Sequence, residues 1–205
     1  MWDADVAIIA CSHRAGGNSD AAAQLLELSV REAGATAKIV PLRDYEVLPC
    51  LACRACAGDR LSRCVLARKD QAEELFEVLM RAPVVVLASP IYFYGVPSRC
   101  KTWIDRSQRF WEARRKGDPW VMELRDRPAY ACLVAGQPTG QKLFEGARLT
   151  LKYFLVNFGL ALAEPLGLRG MDAAGDLASH PDAARQVREL GRDAARMALE
   201  GQGRA

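Results

Sequence analysis

Val6-Ala7-Ile8-Ile9-Ala10-Cys11 runs directly into Ser12-His13-Arg14-Ala15-Gly16-Gly17-Asn18-Ser19, and this stretch decides the fold. The unbroken apolar run reads as a strand buried on both faces, as in parallel sheets covered by helices. The polar loop then hands over to a helix. Asn18 or Ser19 is placed to cap it, and Ala22, Leu25, Leu26, Ser29, Val30 and Ala33 share one stripe until Gly34 stops it.

The same alternation continues outward. Residues 37–42 form a second strand, and Asp70 opens a helix carrying Ala72, Leu75, Phe76 and Leu79 into the apolar run 84–88. A helix over about 98–115, a strand over 130–135, a helix over 144–159, a strand over 160–165 and a closing helix over 181–199 with a glycine-rich tail complete the series. Five strands separated by helices predict a flavodoxin-like, doubly wound five-stranded parallel sheet in three α/β/α layers. With no internal repeat and no linker, residues 1–205 read as one domain, with 43–69 as a cysteine-rich insertion.

Composition narrows the class. Of 205 residues, 50% are hydrophobic and 26% charged, the balance of a globular chain rather than a disordered one. The longest mostly apolar stretch, 153–163, contains Asn157 and falls well short of the roughly 20 residues of a membrane span. The acidic start Met1-Trp2-Asp3-Ala4-Asp5 is unlike a signal peptide, so a cytoplasmic protein is expected. A net charge of +3 gives no reason to expect a nucleic-acid partner. The basic residues Arg99, Lys101, Arg106, Arg109, Arg114, Arg115 and Lys116 concentrate on one stretch, read as a solvated helix face, with a docking site for an anionic partner as the alternative.

In such a sheet, ligands lie beyond the carboxyl ends of the strands. The first strand-end loop, 11–19, offers hydroxyls, an arginine, glycines and the unpaired amides of a helix N-terminus, a combination suited to a phosphate. It matches neither G-x-G-x-x-G nor the P-loop. The second, Ser89-Pro90-Ile91-Tyr92-Phe93-Tyr94-Gly95-Val96-Pro97, sets three aromatics between prolines. They suit either a flat aromatic ligand, with amides freed by Gly95, or a subunit interface. The third, Ala135-Gly136-Gln137-Pro138-Thr139-Gly140, permits close backbone approach. His13 is as readily a solvated loop residue as a phosphate contact, His180 caps the last helix, and 171–176 reads as a solvated loop. No nucleophile–base pair is visible.

Ser12-x-Arg14-x-x-Gly17-Asn18-Ser19 followed by Ser89-Pro90-Ile91-Tyr92-Phe93 resembles the flavodoxin-like NADPH-dependent FMN reductase superfamily, as do Lys101, Asp105 and Arg106 on the next helix. The resemblance covers most of residues 5–165, with Cys11 standing where many relatives carry glycine. It implies FMN held by Ser12, Arg14, Gly17, Asn18 and Ser19 at the phosphate, and by Pro90, Ile91, Tyr92, Phe93, Gly95, Ala135 and Gly136 around the isoalloxazine.

Seven cysteines in a cytoplasmic chain do not make a disulfide framework. Cys11, Cys100 and Cys132 are scattered and read as small buried hydrophobes. Cys50, Cys53, Cys56 and Cys64 form a compact C-x2-C-x2-C-x7-C array. This spacing favours an iron–sulfur cluster over zinc, whose four-cysteine sites more often show two separated C-x2-C knuckles. The array is similar to the compact motif of iron–sulfur flavoproteins, which implies a [4Fe–4S] cluster beside FMN, although its x7 gap is long for that subfamily.

The resulting expectation is a redox protein passing electrons between a reduced donor (a ferredoxin-like protein or NAD(P)H), FMN and the cluster, with no general acid or base. The alternative is an NAD(P)H-dependent FMN or quinone reductase without an assembled cluster. A receiver-like signalling domain is excluded because Cys11-Ser12 and Ser89-Pro90 stand where its acidic residues belong. The aromatics Trp103, Phe110, Trp111 and Trp120 exceed what one helix face buries, and with the resemblance they imply a homodimer or homotetramer.

Overall fold

A computed structural model of the chain describes residues 2–202, so Met1 and the tail residues 203–205 lie outside the description. β1 (Val6–Ala10), β2 (Ala37–Pro41), β3 (Val84–Pro90), β4 (Arg127–Val134), β5 (Leu160–Leu162) and β6 (Leu166–Leu168) form one parallel sheet. Its order is β2-β1-β3-β4-β5, with β6 also on β4, which is the flavodoxin order. The main helices are α1 (Asn18–Glu32), α2 (Ala55–Gly58), α3 (Ala72–Arg81), α4 (Ser98–Arg106), α5 (Gln108–Lys116), α6 (Pro119–Met122), α7 (Glu145–Leu155), α8 (Asp176–Ser179) and α9 (Pro181–Gln202).

Alternation along the strands divides the core between the two faces of the sheet. Ile8 and Val86 pack with Leu26 and Val30 of α1 and Val187 and Ala194 of α9. On that side Gly191 lets the two helices close up, since a Cβ there would stand 2.7 Å from the Cβ of Ser29. Ile9 and Leu87 face the other way, onto Phe76, Trp103, Phe110, Phe154 and Phe158. Phe76 stacks on Trp103 at 5.7 Å between centroids and on Phe158 at 5.6 Å. This aromatic cluster corrects the expectation drawn from the aromatic surplus. Trp103 and Phe110 are buried, Trp120 packs edge-on against Phe110, and Trp111 alone of the four is exposed. The surplus fills the chain's own core.

Four local expectations also change. The fifth strand extends beyond Pro165 but is broken into two pieces on the same neighbour: β5 pairs with 127–129 and β6 with 132–134. Pro165 has no N–H to give the ladder, and the last bond before it is Ala163 N to Ala129 O at 2.9 Å. The helix expected over 98–115 is interrupted at Ser107, whose hydroxyl donates back to Ile104 O at 2.6 Å, a bond that bends helices. α7 ends at Leu155 in a turn of 3-10 helix closed by Gly159 at φ +67°, where a Cβ would stand 2.6 Å from Arg125 O. Finally, His180 stands at the N-cap position of α9, its O accepting from Ala184 N at 3.0 Å, but its ring bonds Asp176 O at 2.6 Å and caps no helix amide. Among the described residues no helix is long and apolar enough to cross a membrane.

Candidate functional site: a phosphate-type loop and a cysteine cavity

At the carboxyl ends of β1, β3, β4 and β6 lies a cavity of about 470 Å³. Ser12, Arg14, Gly17, Asn18 and Ser19 line it from the first loop, Pro90, Ile91 and Tyr92 from the second, and Gly136 from the third. No side chain caps α1, whose N-cap is Gly17 rather than Asn18 or Ser19, so the first-turn amides that a helix cannot pair internally stand at the cavity. The Asn18 side chain is used elsewhere: it donates to Ala173 O at 2.8 Å and accepts from Leu177 N at 3.2 Å. Ser12 Oγ donates to Arg14 O at 2.8 Å. The loop is braced from below by buried Asp20, which accepts from Gly16 N at 3.0 Å and pairs with Arg43 at 3.0 Å. Arg14 is the one cation and Asp172 the one carboxylate among the described lining residues. His13 turns away from the cavity, and its Nε2 accepts from Arg99 N at 3.1 Å, which places its own proton on Nδ1.

The second loop closes as a tight turn. Tyr92 N donates to Gly95 O at 3.0 Å and Gly95 N to Tyr92 O at 2.9 Å. The Gly95 amide is therefore spent inside the turn, contrary to the expectation that glycine freed it. The left-handed conformations fall instead on Phe93 (φ +49°) and Tyr94 (φ +64°), which cost of order 1–3 kcal/mol each for non-glycine residues. The turn projects Phe93 wholly into solvent, with Tyr92 and Tyr94 exposed beside it. Phe93 and Ala135 line a smaller neighbouring cavity of about 230 Å³, and Gly95 lines neither.

The third loop brings Gln137 and Pro138 to the lining beside Gly136, whereas sequence reasoning missed Val134, Met171 and Asp172. Asp172 belongs to the segment read as solvated. The break at Pro165 lets β6 run beside the end of β4, and Ala135 N to Leu168 O (2.8 Å) with Met171 N to Ala135 O (3.0 Å) then carries 171–172 to the cavity. Gly136 accommodates it, because a Cβ there would stand 2.7 Å from Asp172 Oδ1. A strand continued through Leu168 would have marked this loop as a strand-end loop.

A second cavity of about 470 Å³ gathers Cys50, Cys53, Cys56 and Cys64 with Arg106, Arg109 and Glu112. The segment winds tightly, with Ala52 (φ +50°), Arg54 (φ +57°) and Ser62 (φ +53°) left-handed. Asp59 holds the x7 gap by accepting from Leu61 N at 2.9 Å and Arg63 N at 3.0 Å and by pairing with the Arg63 guanidinium, which keeps its carboxyl far below the usual range. Burial, with Glu112 next, pushes the Cys56 thiol up. All seven cysteines are free thiols. Among the described residues, no three His, Cys, Asp or Glu side chains are grouped to hold a single metal ion.

The basic run is a solvated face only in part: Arg99, Lys101, Arg115 and Lys116 are exposed, whereas others are turned onto partners. Arg106 is buried against Asp70 and donates to Leu48 O at 2.9 Å. Arg109 forks onto Glu73 at 2.9 and 2.5 Å. Arg114 donates to Asn157 O at 2.9 Å. Lys116 Nζ donates to Cys56 O at 3.0 Å, Asp59 O at 2.7 Å and Ser62 Oγ at 3.1 Å, clamping the cysteine segment to the end of α5. Cys11, Cys100 and Cys132 are buried as expected, and burial pushes the Cys132 thiol up to about 12.

Residues 4–157 match the NADPH-dependent FMN reductase family. An iron-sulfur flavoprotein of Methanocaldococcus jannaschii is 29% identical over 100 residues, 49% of this chain and 50% of that one. An FMN-dependent NADH:quinone oxidoreductase of Thiobacillus denitrificans is 43% identical over 53 residues, 26% of this chain and 24% of that one. The chain thus spans half or less of the length of these curated relatives. Among solved structures, a flavone reductase superposes with a TM-score of 0.69 at 14% identity over 95% of this chain and 62% of its own. A flavodoxin from the domain Archaea gives 0.56 at 12% identity over 95% and 99%. These structures agree with the flavodoxin-like fold, and the match over residues 4–157 carries the assignment: the chain belongs to the NADPH-dependent FMN reductase family.

Proposed function

We propose that this protein is an FMN-dependent oxidoreductase that passes electrons between a reduced donor, FMN and a [4Fe–4S] cluster, with a ferredoxin-like protein or NAD(P)H as the donor. The observation that carries the cluster is the gathering of all four cysteines of the C-x2-C-x2-C-x7-C array on one cavity, apart from the cavity of the first loop. When bound, the flavin accepts electrons in pairs and releases them singly, and the cluster takes them one at a time.

The chain's own residues bind and orient. Arg14, the Ser12 hydroxyl and the amides of Gly17, Asn18 and Ser19 suit a phosphate dianion, whose charge the N-terminus of α1 favours. Pro90, Ile91, Tyr92 and Gly136 offer a wall of backbone and apolar surface for the flavin ring, Phe93 and Ala135 flank it, and Gly95 closes the turn that aims them. The insertion 43–69 holds the cluster through Cys50, Cys53, Cys56 and Cys64. A cubane spreads its thiolates over four corners, so thiols around a cavity rather than converged on one ion fit it. We further propose a cytoplasmic protein without nucleic-acid or membrane partners that self-associates as a homodimer or homotetramer, through exposed apolar residues such as Phe93 and, on α7, Leu149 and Tyr153.

The test is anaerobic purification with flavin, iron and acid-labile sulfide analysis beside the absorption spectrum. FMN with four irons and four sulfides per chain is the expected result. Zinc, or disulfides without sulfide, overturns the cluster. The second reading, an NAD(P)H-dependent FMN or quinone reductase, then stands. It is supported by the likeness to an FMN-dependent NADH:quinone oxidoreductase.

A further inference from the structure

Arg106 is an unusual cation to find where it is. Its side chain is fully buried, as is that of its partner Asp70, and burying a charge is costly unless it is paired and hydrogen-bonded. Nη1 serves Asp70 Oδ2 and Leu48 O, and Nη2 reaches Asp70 Oδ1 at 3.3 Å. Nε, equally buried, has no partner at all. An orphaned donor on a buried guanidinium calls for an explanation.

The surroundings supply one. Arg106 lines the cysteine cavity, and Cys64 is the thiol beside its guanidinium. Leu48, to which it also donates, lies two residues before Cys50, and Asp70 accepts from Leu48 N at 2.8 Å. The Arg106–Asp70 pair therefore fixes the chain entering the array and stands beside the last cysteine of it. A thiol is a weak acceptor, whereas a metal-bound thiolate is a strong one for an N–H on a cation.

We propose that Arg106 is a positioning residue for Cys64, and that its buried cation raises the reduction potential of the cluster by donating to the Cys64 sulfur. The inference rests on the cluster reading above. Hydrogen bonds to cluster sulfurs and nearby charge are established determinants of such potentials. An added electron makes the cluster more negative by one charge, and a fixed donor in a dry site stabilises that state without reorganising. Lysine is a poor substitute, because one ammonium cannot serve Leu48 O, Asp70 and a sulfur in the planar fork that arginine offers.

The experiment is a redox titration of the cluster by EPR in anaerobically prepared protein, with iron, sulfide and FMN measured on each sample. Arg106→Lys keeps the buried charge balance, and Arg106→Gln with Asp70→Asn removes both charges together, avoiding a lone buried ion. Both variants are expected to titrate lower than the wild type. In the double variant the equilibrium constant for reduction falls at least tenfold, about 59 mV for a one-electron couple. A wild-type potential in either variant that carries four irons and four sulfides overturns the role given to Arg106. Wild-type protein with FMN but no iron or sulfide overturns the cluster reading itself, which separates the two failures.

Discussion

Replacing Arg14 by alanine removes the one cation on the described lining of the first cavity. If the cavity takes the phosphate of FMN, the loss falls on FMN and not on riboflavin, which has the same ring and ribityl chain but no phosphate. A hydrogen bond to a charged group is worth about 1.5–3 kcal/mol. Arg14 is exposed rather than enclosed, which places it at the lower end, because water screens its charge. About 1.5 kcal/mol corresponds to a roughly tenfold rise in the Kd for FMN, with the Kd for riboflavin unchanged. Titrating apoprotein with each flavin and following the quenching of flavin fluorescence gives both constants. Raising the salt concentration should shrink the difference between wild type and variant for FMN, since exposed charges are screened over about 8–10 Å at moderate ionic strength. Equal weakening of both flavins, or of neither, would refute the assignment of this loop to a phosphate.

Gly146→Ala places a Cβ 2.6 Å from Tyr94 O, so despite a better helix propensity it should cost about 1–3 kcal/mol and lower the Tm, checked by thermal melting. Burial would raise the Asp70 carboxyl, but the Arg106 guanidinium and the amides of Leu48 and Ala72 reverse this and hold it below its usual value. Its contribution is complete above the unfolded value of about 3.9 and is lost as pH falls through the lower folded value, so urea midpoints should drop more steeply below pH 4 in wild type than in Asp70→Asn. Serine at Cys50, Cys53, Cys56 or Cys64 should remove iron from anaerobic preparations while FMN stays bound, whereas serine at Cys132, whose thiol titrates only near 12, should leave iron content unchanged. Sedimentation at micromolar concentration should give a dimer or tetramer, and Phe93→Ser with Tyr153→Ser should shift it toward monomer; a monomeric wild type refutes self-association.

The strands were legible where the chain is buried on both faces. Val6–Ala10 and Val84–Pro90 are nearly all apolar, and no other element tolerates such a run over so short a length. The fifth strand was legible only in its first part, Leu160–Leu162, because its continuation past Pro165 depends on pairing with Cys132–Val134, a register that nothing local to residues 160–168 encodes. The same holds for the site. Ser12, Arg14 and Ser19 follow a strand directly and could be placed on the cavity by adjacency in sequence. Asp172 reaches it only through that hidden register. Asn18 carried a capping signal, yet its amide is drawn to Ala173 and Leu177, partners more than 150 residues away. The basic run misled in part for a related reason: spacing along a helix gives the faces but not what lies opposite them, and here Asp70, Glu73 and Cys56 O lie opposite.

That run also determines how the two cavities stand to one another. α4 is nine residues long, about 13 Å at 1.5 Å per residue, and it is fastened at both ends. At its start, Arg99 N and the Ser98 hydroxyl meet His13 of the first loop at 3.1 and 3.3 Å, and Arg99 Nη1 donates to Arg43 O at 3.3 Å and Tyr45 O at 3.1 Å. At its end, Arg106 holds Leu48 O and Asp70 beside the cysteines. Arg43 in turn pairs with Asp20 under the first loop. The loop with phosphate-binding character and the segment carrying the cysteines are thus joined through one helix and its arginines, with no glycine within the helix to act as a hinge. Arg99 and Arg106 act as fasteners, since each spends its guanidinium on backbone carbonyls or a carboxylate of the segment it faces.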